Sequence, residues 1–120
     1  SMDRLSVRRF SSRAEAERHY LELVDSEAEA ARYVSPAQEA VYQLKLTEAA
    51  QGSGPMVEAE ATATDADVTT VCQRIKRART RWEKRAGTIE EARIAAKADI
   101  RRSDTPADMH RALTRFRNAL

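Results

Sequence analysis

Apolar residues recur along this chain at helical rather than strand spacing, over stretches long enough to make arms. From Ser12 onward one heptad column reads Ala16, Leu23, Ala30, Ala37, Leu44, and its companion reads Tyr20, Glu27, Val34, Val41, Glu48. Eight of those ten positions are apolar, which marks a sustained seam rather than a short amphipathic patch. Beyond residue 66 the pattern is cleaner still. Val68, Ile75, Trp82, Ile89 and Ala96 recur at every seventh position, Val71, Ala78 and Ala92 fill the companion column, and Cys72, Ala86 and Ile100 stand beside it. Two arms follow, about 12–51 and about 66–102, the second roughly 55 Å long at about 1.5 Å per residue.

The punctuation between the apolar positions sets the boundaries. Ser12 with Glu15 three residues on makes a capping box at the start of the first arm. Ser35-Pro36 interrupts that arm, with Ser35 as cap, Pro36 at the first helical position and Gln38 where a capping box wants Glu or Gln. The seam keeps its phase there, so a kink or restart is expected instead of a chain reversal. The reversal belongs to Gly52-Ser53-Gly54-Pro55, because Gly supplies positive φ and Pro cannot continue a helix. Residues 56–62 read as a short helical turn, and Thr64 with Asp67, or Asp65 alone, opens the second arm. An interior Gly87 costs about 1 kcal/mol against Ala, and the seam is expected to carry the helix through it.

Asp104-Thr105-Pro106 starts a last helix, about 105–119, whose Met109, Ala112, Leu113, Phe116 and Leu120 form one apolar face. It is too short to stand alone and must pack back on the hairpin or onto a partner. The predicted fold is therefore all-α. It is a long, coiled-coil-like antiparallel hairpin with a kink at Ser35-Pro36 and a short C-terminal helix, in one helical domain over 2–120. Ser1 before Met2 reads as a cleavage scar, and residues 2–12, with Arg8-Arg9, as a loose lead-in. Trp82, midway along the second seam, is expected to anchor the core, so its truncation to Ala should cost about 3–5 kcal/mol.

Composition adds partners to this picture. The chain has 120 residues, 33% of them charged and only 5% aromatic, so one modest core is available and a second surface would help it. No apolar run approaches a membrane span and no signal-peptide pattern is present, which points to the cytoplasm of the producing cell. The net charge of +2 is unevenly spread: residues 37–66 carry one basic and five acidic groups, and residues 67–102 carry eleven and five. Arms of opposite sign attract, which favours the hairpin. A narrow core with one open side predicts self-association, most simply a symmetric dimer.

Candidate chemistry is sparse. Cys72 is the only cysteine and falls on the apolar face, so a small buried hydrophobe is expected in place of a reactive thiol. His19 and His110 lie far apart and read as exposed histidines, not ligands. Nothing suggests a nucleophile with an oriented base or a phosphate loop, so an enzyme and a bound cofactor are not expected. The run from Arg74 to Arg85 is the one cluster that suggests nucleic acid, with Arg74, Arg77, Arg81 and Lys84 as its candidates. It reads as spread over several helix faces and turned toward an acidic arm, and base-stacking aromatics are scarce. Tyr33 and Tyr42 sit off the seam, where they flank it or meet another chain, and Met109, Leu113 and Phe116 are the remaining candidates for a partner.

Three stretches together carry a resemblance over residues 30–102. The first is Arg32 to Ala49, with Ser35-Pro36, Gln38, Tyr42, Lys45 and Glu48-Ala49. The second is Pro55 to Ala61, where two apolar residues and an Ala/Glu run follow the proline. The third holds Trp82, Ile89-Glu90, Arg93, Ala95-Ala96-Lys97 and Ile100. In their order and spacing the chain resembles small helical proteins encoded among the tail genes of phages and prophages of Proteobacteria. The resemblance implies a non-enzymatic structural or assembly protein, of the fibre or baseplate accessory type, acting in the bacterial host cytoplasm or on the virion. It implies another tail protein, or a second copy, as partner, and no catalytic residue. A basic helical regulator that binds nucleic acid is the alternative, and a phage inhibitor of a host protein a further one.

Overall fold

A computed structural model describes residues 10–120, so the expectations placed on Ser1, Met2 and the Arg8-Arg9 lead-in lie outside the described residues. Among the described residues the fold is all-α, with five helices and no strand. They are α1 (Arg13–Ala31), α2 (Pro36–Gln51), α3 (Pro55–Thr64), α4 (Val68–Arg102) and α5 (Pro106–Ala119).

The caps explain the boundaries. The Ser12 hydroxyl accepts from the Glu15 N–H at 3.1 Å, while the Glu15 carboxylate accepts from the N–H of Ser11 (2.7 Å), so the reciprocal half of the box is shifted by one residue. The arm restarts at Pro36 under a complete Ser35–Gln38 capping box, as the sequence predicts. Gly52 closes α2 in the left-handed region (φ 85°), its N–H bonding the Glu48 carbonyl at 2.8 Å. What reads in sequence as a brief turn over 56–62 is a ten-residue helix, α3. Asp67 is the residue that caps α4, its carboxylate accepting from the Thr70 N–H at 2.7 Å. The helix then runs without a break through Gly87. Thr105 caps α5 as expected, accepting from the Asp108 N–H at 3.1 Å.

The packing resolves into two compact units, a division that the heptad periodicity alone does not show. One unit combines the described residues up to Tyr33 with Ala86–Leu120; the other is Val34–Arg85. In the first, α1 runs antiparallel to the C-terminal part of α4: the Arg13 guanidinium donates to the Arg101 and Ser103 carbonyls (both 2.9 Å), and Asp25 takes Arg93 (2.9 Å) and Lys97 (2.7 Å). Helix α5 completes a three-helix bundle, with Glu27 and Arg117 joined at 2.6 Å. Its core holds Ala16, Tyr20, Val24 and Ala28 from α1, Ile89, Ala96 and Ile100 from α4, and Met109, Ala112, Leu113 and Phe116 from α5. Successive buried α1 residues are four apart, so the face that is used drifts from the strict heptad. Leu23 is only partly buried and Ala30 is exposed.

The Val34–Arg85 unit is also antiparallel, with α2 against the N-terminal part of α4 and α3 across the turn. Its core is smaller: Ala49, Val57, Ala61, Val71, Cys72 and Ile75. Cys72 is buried there as a free thiol, as expected. The turn is locked by one side chain. The Glu48 carboxylate accepts from the Met56 and Val57 N–H groups at 2.8 and 2.9 Å, and so caps the amino end of α3. Gly54 (φ 147°) makes room for it, because a Cβ there would run into the Glu48 carboxyl.

Candidate functional site

The second unit's upper part, away from the Glu48 corner, is where the arms leave apolar surface uncovered. Val34, Val41 and Tyr42 from α2 and its lead-in face Ala78, Arg79 and Trp82 from α4 across an open cleft of about 540 Å³. Helix α3 ends too early to cover this level, since its buried residues Val57 and Ala61 meet the lower core around Val71 and Cys72. Val41 is therefore 44% exposed and Trp82 38%.

That placement corrects the expected role of Trp82. Its register is right, because Ile75 and Ile89 on the same column are buried, but the ring stands beside the cleft and is not a sealed anchor. The first-arm column fails in the same region. Ala37, Val41 and Leu44 are exposed, while Ala49 is buried and Leu46 packs on the core. The cleft floor is ordered by one cation. The Arg79 guanidinium lies 5.6 Å from the Trp82 ring centre and 6.0 Å from that of Tyr42, and its Nε meets Glu83 at 3.0 Å. The Tyr42 hydroxyl is enclosed with no hydrogen-bond partner, an uncompensated polar atom at the wall of the cleft.

The other sequence candidates separate. Met109, Leu113 and Phe116 are not a free surface: they are 0%, 1% and 2% exposed and form the buried face of α5. The helix had two ways to satisfy its apolar stripe, and it packs on its own chain. Tyr33 is 69% exposed and belongs to the other unit, beside Ser26, Glu29 and Ala30. His19 and His110 are half-buried, contrary to the expectation of exposed rings. Tyr20 draws them in, its ring 5.0 Å from that of His19 and its hydroxyl 3.2 Å from Nδ1 of His110, with Phe10 packed alongside. A pairing by aromatic edges across ninety residues leaves no trace in local spacing.

The basic run spreads over more than one face of α4, with Lys76 and Arg79 turned away from its four candidates. Arg74, Arg77, Arg81 and Lys84 are all exposed, and their spacing of three, four and three residues places them on one face of α4. Of the run, Arg79 alone points into the cleft. Ion pairing between the arms is found in the bundle with α5, through Asp25, whereas in the Val34–Arg85 unit Lys45 of α2 pairs with Glu60 of α3 at 2.5 Å.

Among the described residues no group of three or more His, Cys, Asp or Glu side chains is placed to hold a metal ion. None of the described helices is long and apolar enough to cross a membrane. Comparison with protein-family models, with curated proteins and with solved structures finds no match.

Proposed function

We propose that the chain is a non-enzymatic binding protein, of the phage tail structural or assembly kind that its sequence resembles, and that it works through the cleft of the Val34–Arg85 unit. The observation that supports this is the exposure of Val41 and Trp82 together at one concave, mostly apolar surface. Single exposed apolar residues are ordinary; a cluster rimmed by charge, with a Trp and an Arg at its centre, has the composition of an interface core. Covering it would remove apolar area from water at about 25 cal/mol per Å². An inhibitor of a host protein would use the same surface and would differ only in the origin of its partner. Either activity belongs to the bacterial host cytoplasm or to the virion.

The one-sided stripe of Arg74, Arg77, Arg81 and Lys84 favours a second reading, nucleic-acid binding by phosphate contacts. Protein binding ranks above it because the same unit carries Glu39, Glu58, Glu60 and Asp65, which repel phosphate, and because the apolar cleft has no task in backbone binding. Two measurements separate the readings: retention of the tail proteins encoded beside the chain, and duplex DNA titration at about 50 and about 200 mM salt. Retention that Val41→Lys abolishes, without DNA binding, is the expected result. Tight, salt-sensitive DNA binding with no protein retained overturns the proposal.

A further inference from the structure

We infer that the partner of the cleft presents an acidic amphipathic helix, with its apolar face against Val41 and Trp82 and its carboxylates along the basic stripe of α4. The inference rests on the protein-binding reading above and gives that partner its chemistry. That a helix is the missing element follows from the rest of the chain. The α1–α4 pair is closed by α5, a 14-residue helix that lays Met109, Leu113 and Phe116 on the seam. The α2–α4 pair lacks such an element at the level of Trp82, and its open lining is mostly apolar.

Charge gives that helix its sign. The charged groups lining the cleft are engaged within the chain: Lys45 pairs with Glu60 at 2.5 Å, Arg79 with Glu83 at 3.0 Å, and Glu39 accepts from the Gln43 amide at 2.8 Å. The rim on α4 is different. Residues 74–85 carry seven basic groups and one acidic, Glu83, which Arg79 already holds. Arg74 and Arg81 stand at i−4 and i+3 from Ala78, at the edge of the lining, and Arg77 and Lys84 continue the same face. All four are exposed. Arg77 bonds to Gln73, and neither it nor Arg81 pairs with a carboxylate among the described residues. From Arg74 to Lys84 the stripe spans about 15 Å at about 1.5 Å per residue, the length of about three turns of a partner helix. Glu39 lies on the other wall, so the acidic edge of the partner is directed to α4 and an uncharged edge to α2. A basic helix would meet like charge along the whole rim. A nucleic-acid backbone would satisfy the stripe but leave the apolar cleft in water.

The test uses the full chain and two synthetic Ala-based helical peptides of about 20 residues that share one Leu stripe, flanked by Glu in one and by Lys in the other. Trp82, the only tryptophan of the chain, reports from the cleft itself. The Glu peptide should bind saturably and shift Trp82 emission to shorter wavelength, and added salt should weaken it. The Lys peptide should bind at least about tenfold more weakly. Arg81→Glu should raise the dissociation constant of the Glu peptide about tenfold and narrow the gap between the two peptides. Val41→Gln, which changes no charge, should raise it about fivefold. Both positions are exposed, so circular dichroism should show each variant folded as before. Equal binding of the two peptides, with the Trp82 shift in both, overturns the acidic partner but keeps the cleft reading. No binding of the Glu peptide also overturns the inference; the cleft reading then stands if the neighbouring tail proteins are still retained, and falls if they are not. Failure of the Glu peptide beside duplex DNA binding that Arg81→Glu removes would assign the stripe to phosphate instead.

Discussion

The two units are built from the same two arms, and they differ in what covers the third side. Around Ile89 and Ile100, α5 lies over the α1–α4 pair and buries Met109, Leu113 and Phe116, so the apolar face is closed by the chain itself. Around Val41 and Trp82, the α2–α4 pair has α3 only at its lower end, and the upper end stays open. Two antiparallel helices make a seam but do not enclose one; enclosure needs a third element at the same level. The C-terminal helix, which in sequence looks like a segment in search of a partner, is the covering element. The real vacancy lies on the seam that looks complete.

The sharpest way to break this contrast is to truncate one aromatic in each unit. Phe116→Ala should cost about 3–5 kcal/mol, the range for a large side chain removed from a sealed core. Trp82→Ala should cost about 1 kcal/mol in the dilute monomer, well below the sequence-based expectation, because much of the ring already meets water. Urea denaturation of both variants at low protein concentration checks the pair. Equal losses would mean that the cleft is closed and that the two units do not differ.

Next in size is Gly54→Ala. It places a methyl group where the Glu48 carboxyl lies and asks an L-residue to hold φ 147°, so a loss of about 1–3 kcal/mol is expected, confined to the Val34–Arg85 unit. Amide hydrogen exchange should show Met56 and Val57 losing protection first. If those amides stay protected, Glu48 is not what holds the corner.

The smallest effect concerns pH and the other unit. Hydrogen bonding from Lys97, reinforced by Arg93, holds the Asp25 carboxyl below its usual range, and Arg117 does the same for Glu27. Since both are depressed in the folded state, their contribution is complete at neutral pH and disappears as pH falls through the carboxylate range. Asp25 is nearly half exposed, so Asp25→Asn should cost only about 0.5–1 kcal/mol at neutral pH and nothing measurable in strong acid. A cost that is the same at both pH values would show that packing, not charge, accounts for the residue.

Much of this architecture is legible in the sequence because it depends on local rules. Ser35-Pro36-Gln38, Gly52 and Thr105-Pro106 announce their caps by residue type and spacing alone, and the second arm's column finds Ile75, Ile89 and Ala96 correctly. The first arm misleads because small Ala residues fit several registers, so the heptad through Ala30 and Ala37 has no bulky side chain to fix it. Burial follows the four-residue row from Ala16 to Ala28 instead. The cleft was legible only in fragments. Its residues can be named from the seam, but the depth of Trp82 depends on where α3 stops, and local residue types mark only 56–62 of a helix that reaches Thr64. The one-faced basic stripe needed only its own spacing to be seen.

Cys72 has a consequence of a different kind. It is the only thiol of the chain, and it is enclosed with Val57, Val71 and Ile75 in the smaller core. A thiol-modifying reagent can reach it only when that core opens, so under fast reclosing its rate of labelling measures the opening equilibrium of the Val34–Arg85 unit. Protein that is folded elsewhere contributes nothing to that signal. The chain thus contains a clock that reads the breathing of one unit and is silent about the other.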